Sequence, residues 1–501
     1  MVKKSSIRSV LITLFEKYWW LAVIVASVLT YVLVMILGRG QNIWFDEGYS
    51  ILVSKRPVPE LLALTAVDAH PPFYYLLLKA WAGIFGWGEF ALRSLSAILT
   101  ASASAMILVL IKKLFDARVM FVSIPFLLIA PFLLRYGYEV RMYALVGLIG
   151  VLATFVLVKA QQSPHRRWWI IYAGLVALGM YTLYMSVVIW LAHLVWLVIK
   201  ARTAKQSLLR QPWMLAYIGA AVLFIPYIPT FIHQLTHSAL PGIGSVLTIS
   251  GLSGVLSLML SYVPSWEIGG LLSIALLTIV GFGIYIVRAI MKKAPTVVRQ
   301  RLVLLLICFF VPLIFYVAIS LLPKPIFIPR YLAHIVIYFY ALLGVITALG
   351  WRYVSHIAVV VCSGLTLLLL VLGLFRLQEV GNFNFERMQL PRTAAIRQTI
   401  ECNDSNIVVA DDPYTYIDSV YYYEGCQLWF YAKDPVAFAG GYAPLHDSNL
   451  RISDPSTITA SKIYHLRWVG GSQQFTPTNA YTLESSITYD KQVVDVYRRT
   501  P

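Results

Sequence analysis

Apolar runs long enough to cross a bilayer recur along this chain from Tyr18 to Phe375, separated by short loops rich in lysine and arginine. About 18 apolar residues suffice for a helix through a hydrocarbon core roughly 30 Å thick. A large water-soluble core would need a polar shell instead. Only 13% of the 501 residues are charged, against about 25% in a soluble chain. Eleven spans are predicted, over residues 18–37, 90–111, 118–134, 142–160, 168–184, 186–200, 213–231, 268–288, 302–322, 331–350 and 356–375. The first follows Lys3 and Lys4 like a secretory signal. It is too long for one and no small-residue cleavage site follows, so it reads as a retained anchor.

The net charge of +17 does not point to nucleic acid, because the cations sit in short loops between apolar runs, where they set membrane orientation. With the N-terminus cytoplasmic, the inner loops collect Lys112, Lys113 and Arg118, then Lys159, Arg166 and Arg167. Lys200, Arg202, Lys205 and Arg210 follow, then Arg288, Lys292, Lys293, Arg299 and Arg301. The outer loops hold far fewer. The same rule settles three stretches. Counting 71–87 or 246–264 as spans would turn the later basic loops outward, so 71–87 reads as an amphipathic helix lying on the outer surface and 246–264, with several Ser and Gly, as similar. The run 168–200 is basic at both ends and therefore crosses twice, with a turn near Thr182–Ser186.

Odd parity places residues 376–501 outside. Charges, Asn, Asp, Pro and Gly return there, with strand-like runs at 406–411, 419–423, 461–469 and 492–497 and a helix at 391–400. The predicted fold is a polytopic α-helical membrane protein of about eleven transmembrane helices. Residues 1–375 form the membrane domain, with a first outer loop over 38–89, and residues 376–501 form a small extracytoplasmic α/β domain. Cys308 and Cys362 lie in apolar runs and read as packing residues. Cys402 and Cys426 can pair if the tail faces an oxidising compartment. No zinc-type cysteine spacing occurs.

Most spans carry no ionisable residue at mid-membrane depth; His193 is the clearest exception, and such a lone histidine is more often a hydrogen-bonded packing residue. The unusual groups lie where spans meet the outer loops: Asn42–Ser50, Asp68–Tyr75, Arg135–Tyr143 and Pro323–Tyr331. Aromatics and snorkelling cations at an interface need no function. Carboxylates there do, because they lose hydration without gaining from apolar neighbours. A sugar on a lipid phosphate supplies a use for the set. Its displacement needs a carboxylate base for the acceptor and cations for the departing phosphate. Asp46, Glu139, Lys79, Arg93 and Arg330 fit that job.

These residues resemble a known family. Trp-Phe-Asp-Glu-Gly-Tyr-Ser at 44–50, Asp-Ala-His-Pro-Pro-Phe-Tyr-Tyr-Leu-Leu at 68–77 and Glu-Phe-Ala-Leu-Arg-Ser-Leu-Ser at 89–96 follow one another as in the GT-C superfamily. The likeness is to the branch of bacterial aminoarabinose transferases and protein O-mannosyltransferases. Tyr-Glu-Val-Arg-Met-Tyr-Ala at 138–144 and Pro-Arg-Tyr at 329–331 resemble its later loop motifs. The resemblance implies an inverting transferase that uses a polyprenyl-phosphate monosaccharide at the outer face of a plasma membrane, with a glycan, lipid or protein acceptor. It implies Asp46 as the catalytic carboxylate, Glu47 as its acidic partner and Glu139 as a second-loop residue for acceptor or an optional divalent cation. Such a cation would use Asp46 and Glu139. Arg330, beside Tyr331, would approach the lipid phosphate. Lys79 and Arg93 join that task by position, while Asp68, His70 and Arg141 are further site candidates; His70 reads equally well as a turn residue before two prolines. The tail lacks the Trp-Trp-Asp signature of oligosaccharyltransferases. Two other classes stand beside the transferase: a non-catalytic lipid-linked sugar transporter or flippase, which would carry polar groups deep in the bundle, and a receptor whose tail is the working part.

Overall fold

The computed structural model describes residues 7–208, 210–237, 248–321, 327–381, 398–423, 425–471, 473–489 and 492–500. Its helices run in the order α1 (Ile7–Gly38), α2 (Phe45–Lys55), α3 (Val58–Ala66), α4 (Phe73–Phe85), α5 (Glu89–Leu114), α6 (Ala117–Leu128), α7 (Pro131–Gly137) and α8 (Tyr143–Gln162). There follow α9 (Arg167–Thr182), α10 (Val187–Thr203), α11 (Pro212–Phe224), α12 (Ile228–His237), α13 (Ile249–Leu260), α14 (Gly270–Lys293), α15 (Thr296–Ser320), α16 (Val336–Tyr353) and α17 (His356–Val380). Contacts divide the chain into two units. One, helical, comprises Met1–Leu37, Gly88–Ile228 and Pro241–Glu379; the other comprises Gly38–Trp87, Pro229–Leu240 and Val380–Pro501.

Among the described residues nine helical segments are long and apolar enough to span a membrane, and the bent pair α6–α7 makes a tenth. The one predicted span outside these ten, 168–184, is α9. Its 16 residues reach about 24 Å at 1.5 Å each, short of a full bilayer core. As predicted, the chain turns between α9 and α10: Leu183 is extended and a short 3-10 turn occupies Tyr184–Ser186. The stretches set aside as non-spanning, 71–87 and 246–264, contain helices of 13 and 12 residues.

In the helical unit, the break between α6 and α7 places the second-loop motif. Pro125 weakens the end of α6 and Pro131 opens α7, which leaves at 67° to α6. The Phe132 amide, orphaned at the new helix start, donates to the Tyr340 hydroxyl over 3.3 Å. Gly137 ends α7 where a Cβ would lie 2.9 Å from Val34 and 3.2 Å from Thr100, so only glycine permits that close approach.

The second unit is built on a six-stranded sheet in the order β3-β2-β1-β4-β6-β5. β1 (Asn406–Ala410), β2 (Leu428–Tyr431), β3 (Arg451–Ile452) and β4 (Lys462–Trp468) are parallel, whereas β5 (Tyr481–Tyr489) and β6 (Gln492–Arg499) complete an antiparallel edge. Val409, Ile452, Ile463, Phe475 and Tyr481 form its core. Cys402 and Cys426 are joined in a disulfide across 24 residues, ahead of the paired strands β1 and β2. The first loop belongs to this unit. Phe45 stacks on Tyr414 with ring centres 4.6 Å apart, the Ile43 amide donates to the Tyr422 hydroxyl, and the Gly440 amide donates to the Val67 carbonyl over 2.9 Å. A Cβ at Gly48 would collide with the Ile417 carbonyl, so α2 meets the Pro413–Ser419 helix backbone to backbone.

The run 419–423, predicted as a strand, is instead the end of that helix and a turn. Its tyrosines are used for tertiary contacts: Tyr422 on Ile43, and Tyr421 on the Trp87 carbonyl over 3.3 Å. Of the predicted helix at 391–400, residues 391–397 lie outside the described residues, as do residues 323–326 of the late loop motif.

Candidate functional site

In the helical unit, the second-loop motif folds around one buried ion pair. Glu139 is fully buried and accepts from the Arg135 guanidinium over 2.9 Å. The pair spans the end of α7 at four residues' separation, the spacing that brings helical side chains together. Two further bonds fix the backbone at Glu139: its carbonyl accepts from the Ser96 hydroxyl over 2.6 Å and from the Arg141 amide over 2.7 Å. Arg135 lies over the rings of Tyr136 and Tyr138, at 4.9 and 5.3 Å. Arg93, from α5, reaches the Tyr138 ring at 5.8 Å and pairs with Glu89 at 3.0 Å. Arg330 lies close enough to Tyr136 for its positive charge to act on the phenol. Its neighbour Tyr331 stacks on Tyr316 at 6.4 Å.

The structure thus brings Arg93, Arg135, Glu139 and Arg330 around a set of tyrosines. Charge-assisted and cation–π contacts of this kind hold guanidinium groups in fixed positions. Arg135 and Tyr136 were not among the predicted site residues. Their signal was present in the sequence: an Arg and a Glu four apart, with an aromatic residue beside each.

In the second unit, Asp46 is half-buried in the first turn of α2, a place that favours acidic side chains. Glu47 is buried and reaches back to accept from the Trp44 amide over 3.3 Å. That is half of a capping box, and it gives Glu47 the task of fixing the helix start. Lys79 holds the other end of α2, donating to the carbonyls of Ser54 at 3.3 Å and Arg56 at 2.9 Å. Asp68 pairs with His70 at 2.9 Å. Asp46, Glu47, Asp68, His70 and Lys79 therefore lie in one unit, and Arg93, Glu139, Arg141, Arg330 and Tyr331 in the other.

Among the described residues, no three His, Cys, Asp or Glu side chains gather as a metal ion requires, and Glu139 is engaged by Arg135. His193 has both ring nitrogens satisfied, by Thr154 at 2.9 Å and Tyr172 at 3.0 Å. Its network ties α8, α9, α10 and α16 together.

Residues 69–233 match the family described as dolichyl-phosphate-mannose-protein mannosyltransferase. Two solved structures of ArnT from Cupriavidus metallidurans, one in the apo state and one bound to undecaprenyl phosphate, are similar to the whole chain. Each gives a TM-score of 0.59 at 13% identity, covering 95% of this chain and 97% or 98% of the other. The chain therefore has the fold of those ArnT structures. No curated protein sequence matches it.

Proposed function

We propose that the protein is a membrane glycosyltransferase that takes a monosaccharide from a polyprenyl-phosphate donor and passes it, with inversion, to a glycan, lipid or protein at the outer face of the plasma membrane. The observation that carries the reading is the arginine–tyrosine cluster around Glu139, built into a chain with the fold of those ArnT structures. The undecaprenyl phosphate of the similar ArnT structure supports a lipid-phosphate donor. The mannosyltransferase match supports sugar transfer.

Breaking a sugar–phosphate bond puts negative charge on the departing phosphate. Guanidinium groups already held in place stabilise that charge without reorganising. We assign the donor phosphate to Arg330, beside Tyr331, with Arg93 in support. Glu139 acts through Arg135: its carboxylate is spent on that guanidinium, so it positions a cation. Asp46 takes the proton from the acceptor nucleophile as the nucleophile attacks the anomeric carbon opposite the phosphate. Glu47 and Lys79 fix the two ends of the helix that carries Asp46.

The test is sugar transfer from a radiolabelled polyprenyl-phosphate donor in reconstituted vesicles, at matched protein. Asp46→Asn lowers turnover by about 100-fold or more, the usual range for removing a general base, and leaves donor binding intact. Undiminished transfer would remove Asp46 as the base. Arg330→Ala raises the donor KM; an unchanged donor dependence would remove Arg330 from the phosphate site.

A further inference from the structure

At the basic end of the helical unit, two cavities of about 480 and 1160 Å³ share Gln161 and Lys200 in their walls. The smaller also takes Arg299 and Arg301 from the first turns of α15, and the larger takes Arg166 and Arg210. Among the described residues no aspartate or glutamate lines either one. Arg301 donates to the Leu114 carbonyl over 2.5 Å, and Arg299 to the Met291 carbonyl over 3.3 Å and the Thr296 hydroxyl over 2.9 Å. The Nε of Arg299 is buried with no hydrogen-bond partner among the described residues. Lys159 and Arg301 also lie near enough to Lys113 to repel its charge.

Membrane orientation alone accounts for cations in these loops. It does not account for half-buried arginines around a cavity without a counter-ion, nor for what lies beyond it. The larger cavity continues as an apolar furrow between α9 and α11. Trp169 and Ala173 fall on one face of α9, and Trp213, Ala216 and Gly219 on one face of α11. A Cβ at Gly219 would stand 3.7 Å from that of Ala173, so small residues form the floor. From Pro212 to Leu223 the furrow runs about 16 Å along the helix, room for much of a fatty acyl chain.

A cationic mouth without acids, opening on an apolar furrow, matches a lipid with a negative headgroup. We propose that these cavities bind an anionic phospholipid of the surrounding bilayer, with its phosphate among Lys200, Arg299 and Arg301 and an acyl chain between α9 and α11. None of these residues is a candidate for the transfer reaction. The inference therefore stands apart from the proposed function.

The full-length protein, in nanodiscs of phosphatidylcholine with increasing phosphatidylglycerol, tests this by native mass spectrometry of retained lipid. The wild type retains phosphatidylglycerol selectively. Replacing Lys200, Arg299 and Arg301 together by Gln weakens that retention by about 100-fold, at roughly fivefold per cation. Removing Arg288, Lys292 and Lys293 from α14 in the same way, an equal loss of charge, leaves it unchanged. Gly219→Leu fills the furrow with every cation in place and also weakens retention, which keeps the test valid if the triple variant fails to fold. Equal retention by wild type and Gly219→Leu would overturn the acyl-chain furrow, and equal loss in the α14 control would reduce the site to bulk surface charge. Inorganic phosphate in place of lipid gives no rise in the thermal midpoint; a rise matching that from phosphatidylglycerol would assign the pocket to free phosphate and overturn the lipid.

Discussion

In the helical unit, buried arginines find partners four residues away; in the sheet of the loop-and-tail unit, buried charges reach across 28 to 54 residues. Glu89 pairs with Arg93 and Arg135 with Glu139, each by the geometry of one turn of helix. His465, by contrast, pairs with Asp411 just past β1, 54 residues away, and Arg467 with Asp495 from β6, 28 away. His465 and Asp495 are direct cross-strand partners. A local pair fixes a charge on its own helix whatever the rest of the chain does. A cross-strand pair exists only while the sheet does. The helical unit thus keeps its cations in fixed positions with little tertiary help, and the buried charges of the tail report on the integrity of a whole domain.

The sharpest way to break this comparison is to remove one member of the Arg135–Glu139 pair. Glu139→Leu leaves the guanidinium buried without its carboxylate, a change that costs about 3–5 kcal/mol. A lowered thermal midpoint of the reconstituted protein checks it. Arg135→Met combined with Glu139→Leu replaces the pair by apolar volume and recovers most of that loss. Transfer activity stays low in the double variant if Arg135 serves the donor. Recovery of both stability and activity would make the pair structural only.

Next in size is the disulfide, the strongest long-range tie in the tail. Closing a loop of 24 residues removes unfolded-state entropy worth about 3 kcal/mol. Cys402→Ser, or reduction of the wild type, should open β1 and β2 to protease well before the membrane helices unfold. Coincident loss of both units would mean that they unfold as one, and the comparison between them would fail at the level of stability.

Legibility in the sequence follows the same division. Spans, basic loops and the α9–α10 turn were readable because each is set by composition within twenty-odd residues. The Arg135–Glu139 spacing was readable too, although it was passed over. What was not readable is the grouping of residues 38–87 with residues 380–501, since no local signal couples Phe45 to Tyr414 or Ile43 to Tyr422. The strand predicted at 419–423 failed for the same reason: Tyr421 and Tyr422 bond to a distant segment. β5 is hard to read because Ser485 interrupts its alternating apolar positions Tyr481, Leu483, Ile487 and Tyr489, and Leu483 itself is exposed. Of the site, the residue types were legible, but the tasks of Glu47 and Lys79 as helix-end anchors were not, because hydrogen bonds to backbone leave no trace in side-chain pattern.

The smallest expected effect sharpens the comparison through pH. Burial alone would favour neutral His465, but the hydrogen bond to Asp411 and the nearby charge of Asp495, 3.7 Å away, prevail and hold the imidazole above its ordinary value of 6.5. Asp495 is likewise penalised by burial, yet the His465 ring beside it and bonds from Arg467 and Ser486 hold it well below its ordinary 3.8. A raised histidine stabilises the fold fully below about pH 6.5, and that contribution is lost as pH rises through the raised value. A depressed aspartate contributes above its ordinary pKa and fails only as pH falls through the lowered one. Both contributions are therefore present from about pH 4 to 6.5, and the sheet loosens on the alkaline side. Hydrogen-exchange protection of β1, β4 and β6, corrected for intrinsic exchange, should fall above pH 6.5 in the wild type and stay flat there in His465→Gln. Amides of α7 and α8 should show no such slope, because the charges beside them are arginines and a carboxylate paired within one turn. A slope of equal size in both units would mean that the tail's cross-strand cluster is not what senses pH.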